Sequence, residues 1–458
     1  MNVKSFKGRI VDVHSKTIFN GEVFYENGLI TSISTIDEPQ EKYILPGFID
    51  SHLHIESTML TPSRLSQLIV PHGTIGVVTD PHEIANVLGV KGVEYMIEDA
   101  SHVPVKIFFG APSCVPATFF ETSGAVLSSN EVEALLKRDD IWFLSEMMNF
   151  PGVVHDDEEV LRKLNSAKRL NKPIDGHAPG VRGEDLSKYA KAGISTDHEC
   201  ATLEEALEKI EKGMKIQIRE GSAARNFEAL FSLIDSHPDS IMLCTDDIHP
   251  DALLKYGHIN YLLKTGIKKG LDLFNLLRAV TVNSVEHYNL PMGLLRVGDS
   301  ADFIVLEDLQ DFKVLETWID GEQVFNLDEG VNFNLPHLEA VNQFRTEKVS
   351  LEELSIELPA GKTQVKVIDV IDGEITTQES VWSPSISNDR IIHPNIEEDV
   401  LKLVVVNRYR PEKPSIGFVK NIGIKKGAFG GTVAHDSHNI IVVGVDDKSI
   451  LKVINSLI

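Results

Sequence analysis

A strand-and-helix alternation occupies the chain from residue 46 to residue 290. Short apolar runs are each followed by a stretch with helical spacing, as in IWFLSEM at 141–147 and the helical pattern at 158–170. A strand followed by a helix, repeated many times, is typical of a parallel sheet whose faces are covered by helices. About eight such strands over this length predict a (β/α)₈ barrel of the TIM type.

Strand patterns without intervening helices flank this region on both sides. Residues 6–45 contain Asn20-Gly21 and Asn27-Gly28, two dipeptides that favour hairpin turns. Strand patterns return after residue 290, and we expect them to pair with the N-terminal strands. The predicted fold is therefore α/β: a barrel, a small β-sandwich domain built from both flanks, and a C-terminal α+β domain. The predicted division is 1–45 and 291–335 for the β-sandwich, 46–290 for the barrel, and 336–458 for the C-terminal domain.

The charge of the chain limits the kinds of partner that it can bind. It carries 44 Lys and Arg against 68 Asp and Glu, a net charge of −24. Nucleic acids and anionic membranes are bound by basic patches, so we expect neither as a partner.

The 3 cysteines are far apart, no signal peptide is evident at the start, and no apolar run of about 18 residues occurs. These features predict a cytoplasmic protein.

Side chains that can bind metal ions follow the apolar runs of the predicted barrel. In DSHLHIES at 50–57, His52 and His54 are two residues apart, which places both on the same side of a strand. The carboxyl ends of barrel strands are where active-site residues lie. The further candidates, in chain order, are Asp80, His82, Glu83, Glu146, His177, His198, Glu199, Glu220, Asp246 and Asp247.

Each candidate also has an ordinary structural explanation. A single histidine in a loop is more often structural or solvated than a ligand. An Asp-Asp pair usually forms a turn or a helix cap, and a glutamate that ends an apolar run usually forms an ion pair. Four histidines and two carboxylates at successive strand ends are difficult to explain in this way. Together they predict a hydrolytic metal centre, because imidazole and carboxylate ligands suit zinc, manganese or ferrous iron.

Several longer motifs resemble a known family. PGFIDSHLHIES at 46–57 resembles the signature of the amidohydrolase superfamily. Within that superfamily the chain resembles the bacterial adenine deaminases over nearly its whole length. The motifs that carry this resemblance are VVTDPHEIANVLG, PSCVPAT, SEMMNFPGV, DGHAPG, IREGSAARN, CTDD and GGTVAHDSHNII. Members of the family usually continue well beyond the position of Ile458, so the resemblance implies a shortened C-terminal domain.

The resemblance implies a site for two divalent metal ions, manganese first, with iron or zinc as alternatives. His52, His54 and Asp246 would bind one ion, and His177 and His198 the other. Glu146 would bridge the two ions, where many other amidohydrolases use a carboxylated lysine.

The implied reaction is the hydrolytic deamination of adenine to hypoxanthine and ammonia in purine salvage. Hydroxide attacks C6, Asp246 passes its proton to the departing amine, and Glu146 acts with Asp246 as a catalytic residue. Ring N1 must also gain a proton, and His82, Glu83 and Glu220 remain open as its donor. The resemblance also implies a homo-oligomer.

The motif near the C-terminus has two explanations. His435, Asp436 and His438 could form an ordinary polar turn, or they could contact substrate by closing over the mouth of the barrel.

Two other functions stay open for the whole chain. One is an amidohydrolase acting on a cyclic amide or an N-acyl substrate, which Glu146 in place of the bridging lysine disfavours. The other is a non-catalytic barrel scaffold, which would be expected to have lost metal ligands.

Overall fold

The structure is a computed structural model that describes residues 3–342, 344–372, 376–385 and 390–458. The chain divides into two compact units. Unit 1 consists of Met1–His82, Val90–Cys114 and Leu127–Glu339, and unit 2 of Glu83–Gly89, Val115–Val126 and Ala340–Ile458. Two short segments from within the predicted barrel region therefore belong to the same unit as the C-terminal part of the chain. The four-part domain division stays a prediction.

Unit 1 contains the predicted barrel. Its eight strands form a five-stranded and a three-stranded sheet, and every pairing within them is parallel. Ser195 N–H donates to Ile174 O at 2.9 Å and links the two sheets, while Asp246 N–H donates to His52 O at 2.9 Å and closes the circle. The (β/α)₈ prediction is confirmed. The strands are Phe48–Leu53, Thr74–Thr79, Lys106–Ala111, Ile141–Met147, Ile174–Gly176, Thr196–Asp197, Lys215–Arg219 and Ile241–Cys244.

Helices alternate with these strands, as the sequence spacing predicts. Glu158–Arg169 shows why such a segment is helical: Asp157 caps it by accepting from the N–H groups of Glu159 and Val160, and its apolar residues fall on one buried face. The helices between the first strand and residue 290 are Pro62–Ile69, His82–Leu88, Val90–Ala100, Ser129–Leu136, Phe150–Val154, Glu158–Arg169, Gly183–Lys191, Leu203–Glu211, Phe227–Leu230, Leu233–Ser236, Pro250–Tyr256, Ile259–Lys268, Leu273–Ala279 and Val282–Tyr288.

A second sheet in unit 1 joins both flanks of the barrel, as predicted. Tyr43–Pro46 from the N-terminal flank pairs antiparallel with Phe303–Leu306 from the C-terminal flank. The eight strands, in spatial order, are Gly330–Val331, Glu322–Asn326, Val314–Ile319, Phe303–Leu306, Tyr43–Pro46, Lys4–Asp12, Thr17–Glu26 and Leu29–Thr35.

The two Asn-Gly dipeptides have different outcomes. Asn27-Gly28 forms the predicted hairpin turn, with φ of 52° and 78°, because both positions need the left-handed conformation that Asn and Gly tolerate. The prediction of a turn at Asn20-Gly21 is wrong, since both residues lie within the strand Thr17–Glu26. Gly21 packs closely there: a Cβ atom would lie 2.4 Å from Ile10 Cδ1, so a larger residue would require that side chain to shift.

Unit 2 contains a six-stranded sheet packed against the C-terminal helix Asp447–Leu457. Ile450 and Ile454 of this helix are buried with Val404, Ile440 and Val442 of the sheet. The strands, in spatial order, are Thr377–Trp382, Val365–Val370, Ser415–Lys420, Val400–Val406, Ile440–Gly444 and Ala428–Gly431. Among the described residues, the helices are all too short or too polar to cross a membrane.

Candidate metal centre

Six of the predicted site residues meet at the carboxyl ends of the barrel strands, and we name them the barrel cluster. They are His52, His54, Glu146, His177, His198 and Asp246. The side chain of His177 is 26% exposed, whereas the other five residues are at most 3% exposed. The parallel strands bring them together because all their carboxyl ends lie at one end of the barrel.

Glu146 lies between two groups of histidines. Its Oε2 atom is 2.8 Å from Nδ1 of His177 and 3.1 Å from Nε2 of His198. Its Oε1 atom is 3.4 Å from Nε2 of His54. Each carboxylate oxygen therefore faces a different histidine group, which is the arrangement that a bridging ligand requires.

Asp246 faces the histidine pair of the first strand. Its Oδ1 atom is 3.4 Å from Nε2 of His52 and 3.3 Å from Nε2 of His54, and these two nitrogens are 3.2 Å apart. Asp246 has a φ of 55°, a left-handed conformation that aspartate adopts more readily than most residues. Two ring nitrogens and a carboxylate oxygen thus converge on one point, as ligands do around a cation.

The donor set of the barrel cluster fits divalent transition metals. It offers imidazole nitrogens and carboxylate oxygens, which suit zinc, manganese and ferrous iron. The groups His52–His54–Asp246 and His52–Glu146–His198 each place their ligand atoms within 4.8 Å of one another. A buried cluster of this kind is costly without a cation, because its polar atoms face each other in an environment with little water.

The pKa values of the barrel-cluster residues reflect the close approach of their buried polar atoms. Burial favours the neutral form of Glu146, but the charges of His177 and His198 hold the pKa of Glu146 well below its usual range. Burial opposes the charge of His177, yet the Glu146 carboxylate raises its pKa to about 9. Without a metal ion, the cluster therefore retains protons as its counter-charge.

Asp80 and His82 border the barrel cluster. Nδ1 of His82 lies 3.1 Å from Oδ2 of Asp80 and 3.4 Å from Oε1 of Glu146. Asp80 Oδ1 also accepts from His82 N–H at 3.0 Å, which caps the start of the helix His82–Leu88. His82 and Glu83 follow the strand Thr74–Thr79 and are the first two residues of this helix.

Glu83 belongs to unit 2, where it contacts the motif near the C-terminus. Its Oε1 atom contacts Nδ1 of His435, and its Oε2 atom is 3.1 Å from Nε2 of His438. Ala434 N–H donates to Nδ1 of His438 at 3.1 Å, so the ring proton of a neutral His438 lies on Nε2 and points to Glu83. We name Glu83, His435 and His438 the tail cluster. Asp436, which follows His435 in the sequence, is half-buried.

Glu220 lies outside the barrel cluster. It lines a cavity of about 110 Å³ in unit 1 together with Arg225, Tyr256, His258 and Tyr261, among others. Burial raises the pKa of the Glu220 carboxyl, while Arg225 opposes this effect. None of the six barrel-cluster residues lines this cavity.

Sequence reasoning missed Arg219, the last residue of the strand Lys215–Arg219. Its guanidinium is buried between the carboxylates of Glu199 and Asp246. The signal was an arginine at the end of the strand pattern MKIQI, where a long charged side chain has to find a buried partner.

Comparison with known families gives two matches that together include most of the chain. The Amidohydrolase family matches residues 43–324, and the Adenine deaminase C-terminal domain matches residues 374–458. The adenine deaminase of Methanosarcina mazei is 51% identical over 466 residues, which cover 100% of this chain and 84% of that protein. The adenine deaminase of Sulfurovum sp. is 50% identical, with 99% of this chain and 82% of that protein covered.

Solved structures support the fold. The β-aspartyl dipeptidase of Fervidobacterium islandicum AW-1 has a TM-score of 0.55 at 16% identity and covers 73% of this chain and 100% of its own. The N-acetylglucosamine-6-phosphate deacetylase of Thermotoga maritima has a TM-score of 0.53 at 17% identity and covers 71% of this chain and 100% of its own. At this level of identity, the similarity extends to the fold alone.

Proposed function

Because the chain belongs to the amidohydrolase family, and within it to the adenine deaminases, we propose that it deaminates adenine hydrolytically to hypoxanthine and ammonia. The reaction is one of purine salvage, and its substrate is a small molecule. The family is metal-dependent, and the observation that carries the proposal is the position of Glu146, whose two oxygens face different histidine groups.

The six residues of the barrel cluster hold two divalent metal ions in this proposal. His52, His54 and Asp246 would hold one ion and His177 and His198 the other, and Glu146 would be a ligand shared by both. We propose manganese as the physiological metal, with iron or zinc as the alternatives. When bound, such ions supply an ionised water near neutral pH.

Asp246 moves the proton in the chemical step. It takes up the proton that is released as water adds to C6 of adenine, and it delivers this proton to the departing amine. A buried carboxylate suits this task because bulk water does not compete for the proton. Glu146 holds the two halves of the cluster at a fixed separation.

We assign to His82 the proton that ring N1 gains, and His82 recovers a proton from the C6 hydroxyl as ammonia departs. Its ring contacts Glu146 at 3.4 Å, so it borders the cluster in which adenine reacts. Glu220 lines a separate cavity, and Glu83 is engaged by His435 and His438. The homo-oligomer and the cytoplasmic location stay predictions.

Ammonia release from adenine tests the function. The protein is expressed under iron chelation with added manganese, and wild type is compared with Glu146→Gln. Glu316→Gln is the control, because this glutamate is also mostly buried but lies in the eight-stranded sheet. Turnover that is lost in Glu146→Gln and kept in Glu316→Gln supports the proposal. A wild type that binds about two metal ions but releases no ammonia from adenine overturns it.

A further inference from the structure

Arg219 connects two buried carboxylates beside the barrel cluster. Its Nη1 donates to Oδ2 of Asp246 and to Oε1 of Glu199, both at 2.5 Å, and its Nη2 donates to Oε2 of Glu199 at 2.9 Å. All three residues are at most 7% exposed. We propose that Arg219 is a positioning residue that holds Asp246 by Oδ2 and thereby turns Oδ1 toward the rings of His52 and His54.

The geometry of Asp246 explains why such a hold matters. Its Oδ1 atom lies 3.3–3.4 Å from both Nε2 atoms of the histidine pair, whereas its Oδ2 atom faces the guanidinium. Rotation of the carboxylate about χ2 is a soft motion and would exchange the two oxygens. A donor fixed on Oδ2 opposes this rotation, so that the same oxygen always faces His52 and His54.

Glu199 fixes Arg219 in turn. The two glutamate oxygens accept from two different guanidinium nitrogens, and this fork-to-fork geometry is one that lysine cannot reproduce. Glu199 also supplies a negative charge that balances the guanidinium, so that Arg219 holds Asp246 without leaving a buried cation uncompensated.

The backbone around Arg219 is fixed by Asn226, from the same IREGSAARN segment. The Asn226 side chain accepts from Arg219 N–H at 2.8 Å and donates to the carbonyl oxygens of His198 and Cys200, both at 3.0 Å. One amide therefore joins the strand end that carries Arg219 to the one that carries His198. Arg219 is therefore held at its backbone by Asn226 and at its guanidinium by Glu199.

This inference rests on the proposed function, because Asp246 is assigned there as both metal ligand and proton carrier. Residues that orient metal ligands typically change metal affinity or activity by about 10- to 100-fold when they are replaced. We expect a fall of this size in Mn²⁺ affinity, in kcat, or in both. The KM for adenine should stay within about twofold, because Arg219 acts through Asp246 rather than on the substrate.

The experiment compares Arg219→Lys and Arg219→Met with Arg225→Lys and Arg225→Met. Arg225 is the matched control: it lies in the same segment but is mostly exposed and donates to Gly221 O. Mn²⁺ affinity is measured by competition with a chelator, and kcat and KM by ammonia release. Since Arg219→Met leaves two buried carboxylates unpaired and can prevent folding, Arg219→Lys decides the outcome.

A fall of at least about tenfold in Mn²⁺ affinity or kcat for Arg219→Lys, with Arg225→Lys unchanged, supports the proposal. The proposal is overturned if Arg219→Lys and Arg225→Lys both remain within about twofold of wild type in Mn²⁺ affinity and in kcat. If the wild type releases no ammonia from adenine, the proposed function fails. The comparison of Mn²⁺ affinities still decides the role of Arg219 in that case.

Discussion

The barrel cluster and the tail cluster use the same residue types but balance their charges differently. In the barrel cluster, ring nitrogens face one another: Nε2 of His52 and Nε2 of His54 are 3.2 Å apart. In the tail cluster, each oxygen of Glu83 faces a different ring, and the proton of His438 is directed to it by the Ala434 N–H group. Glu146 and Glu83 each face rings with both oxygens, so the difference lies in the ring nitrogens: two of them face each other in the barrel cluster, whereas the ring proton of His438 points to a carboxylate.

This difference shows that the arrangement of donor atoms, more than the residue types, identifies a metal site. Histidines and a carboxylate occur together in both clusters, and both are at least partly buried. We therefore expect metal binding and catalysis to depend on the barrel cluster, and the tail cluster to contribute to the stability of unit 2.

Metal removal is the strongest way to separate the two clusters. Dialysis against a chelator should abolish ammonia release and lower the Tm, since a ligand at about 1,000 times its Kd stabilises the folded state by about 4 kcal/mol. Added Mn²⁺ should restore both. Activity that persists in protein shown by elemental analysis to lack metal would contradict the proposed mechanism.

Asp246→Asn should have the next largest effect. The amide cannot carry the proton to the departing amine, and general acid–base catalysis contributes about 10²- to 10⁴-fold, so kcat should fall by that factor. Asp251→Asn, at an exposed position in the helix Pro250–Tyr256, is the control. A kcat for Asp246→Asn within tenfold of wild type, with metal content equal, would exclude the assigned role.

The sequence predicts much of the fold and of the barrel cluster because both depend on local patterns. Strands end where apolar runs end, and parallel strands bring the residues after those ends together, so the strand-end candidates could be grouped from the sequence. The choice of His52, His54, Glu146, His177, His198 and Asp246 among them came from the resemblance to the adenine deaminases. These residues lie far apart in the chain, but the barrel topology specifies that they meet.

Other features depend on contacts that no local pattern specifies. Asn20-Gly21 resembles a turn, yet these residues pair with Arg9 and Gly8 of the neighbouring strand and continue the strand Thr17–Glu26. Glu83 follows His82 directly, yet its carboxylate pairs with rings more than three hundred residues away in the chain. The partners of Arg219 likewise become known only when three strand ends are positioned.

His438→Ala probes the tail cluster. It removes the donor to Oε2 of Glu83, and a buried acceptor that loses its partner costs about 1–3 kcal/mol, so the free energy of unfolding should fall by that amount. Bound metal per chain should not change. The control is His393→Ala, an exposed histidine in unit 2. A loss of bound metal in His438→Ala would assign the tail cluster a role in metal binding after all.

The smallest effect concerns the pH dependence of the tail cluster. Burial favours a neutral Glu83, but the hydrogen bonds from His435 and His438 outweigh it and lower the pKa of the carboxyl from its ordinary value of 4.5. A carboxyl with a lowered pKa stabilises the fold above its unfolded pKa, and this contribution is lost only as the pH falls below that value. The stability of the tail cluster should therefore persist at pH values at which the barrel-cluster histidines gain protons and release metal.

The difference in Tm between wild type and Glu83→Gln isolates this contribution, because metal loss affects both proteins alike. We expect the difference to be the same at about pH 8 and about pH 5.5 and to shrink at about pH 4, where carboxyls of the unfolded chain take up protons. A Tm difference that already changes between the two higher pH values would show that a ring proton of His435 or His438, rather than the charge of Glu83, sets the stability that the tail cluster contributes.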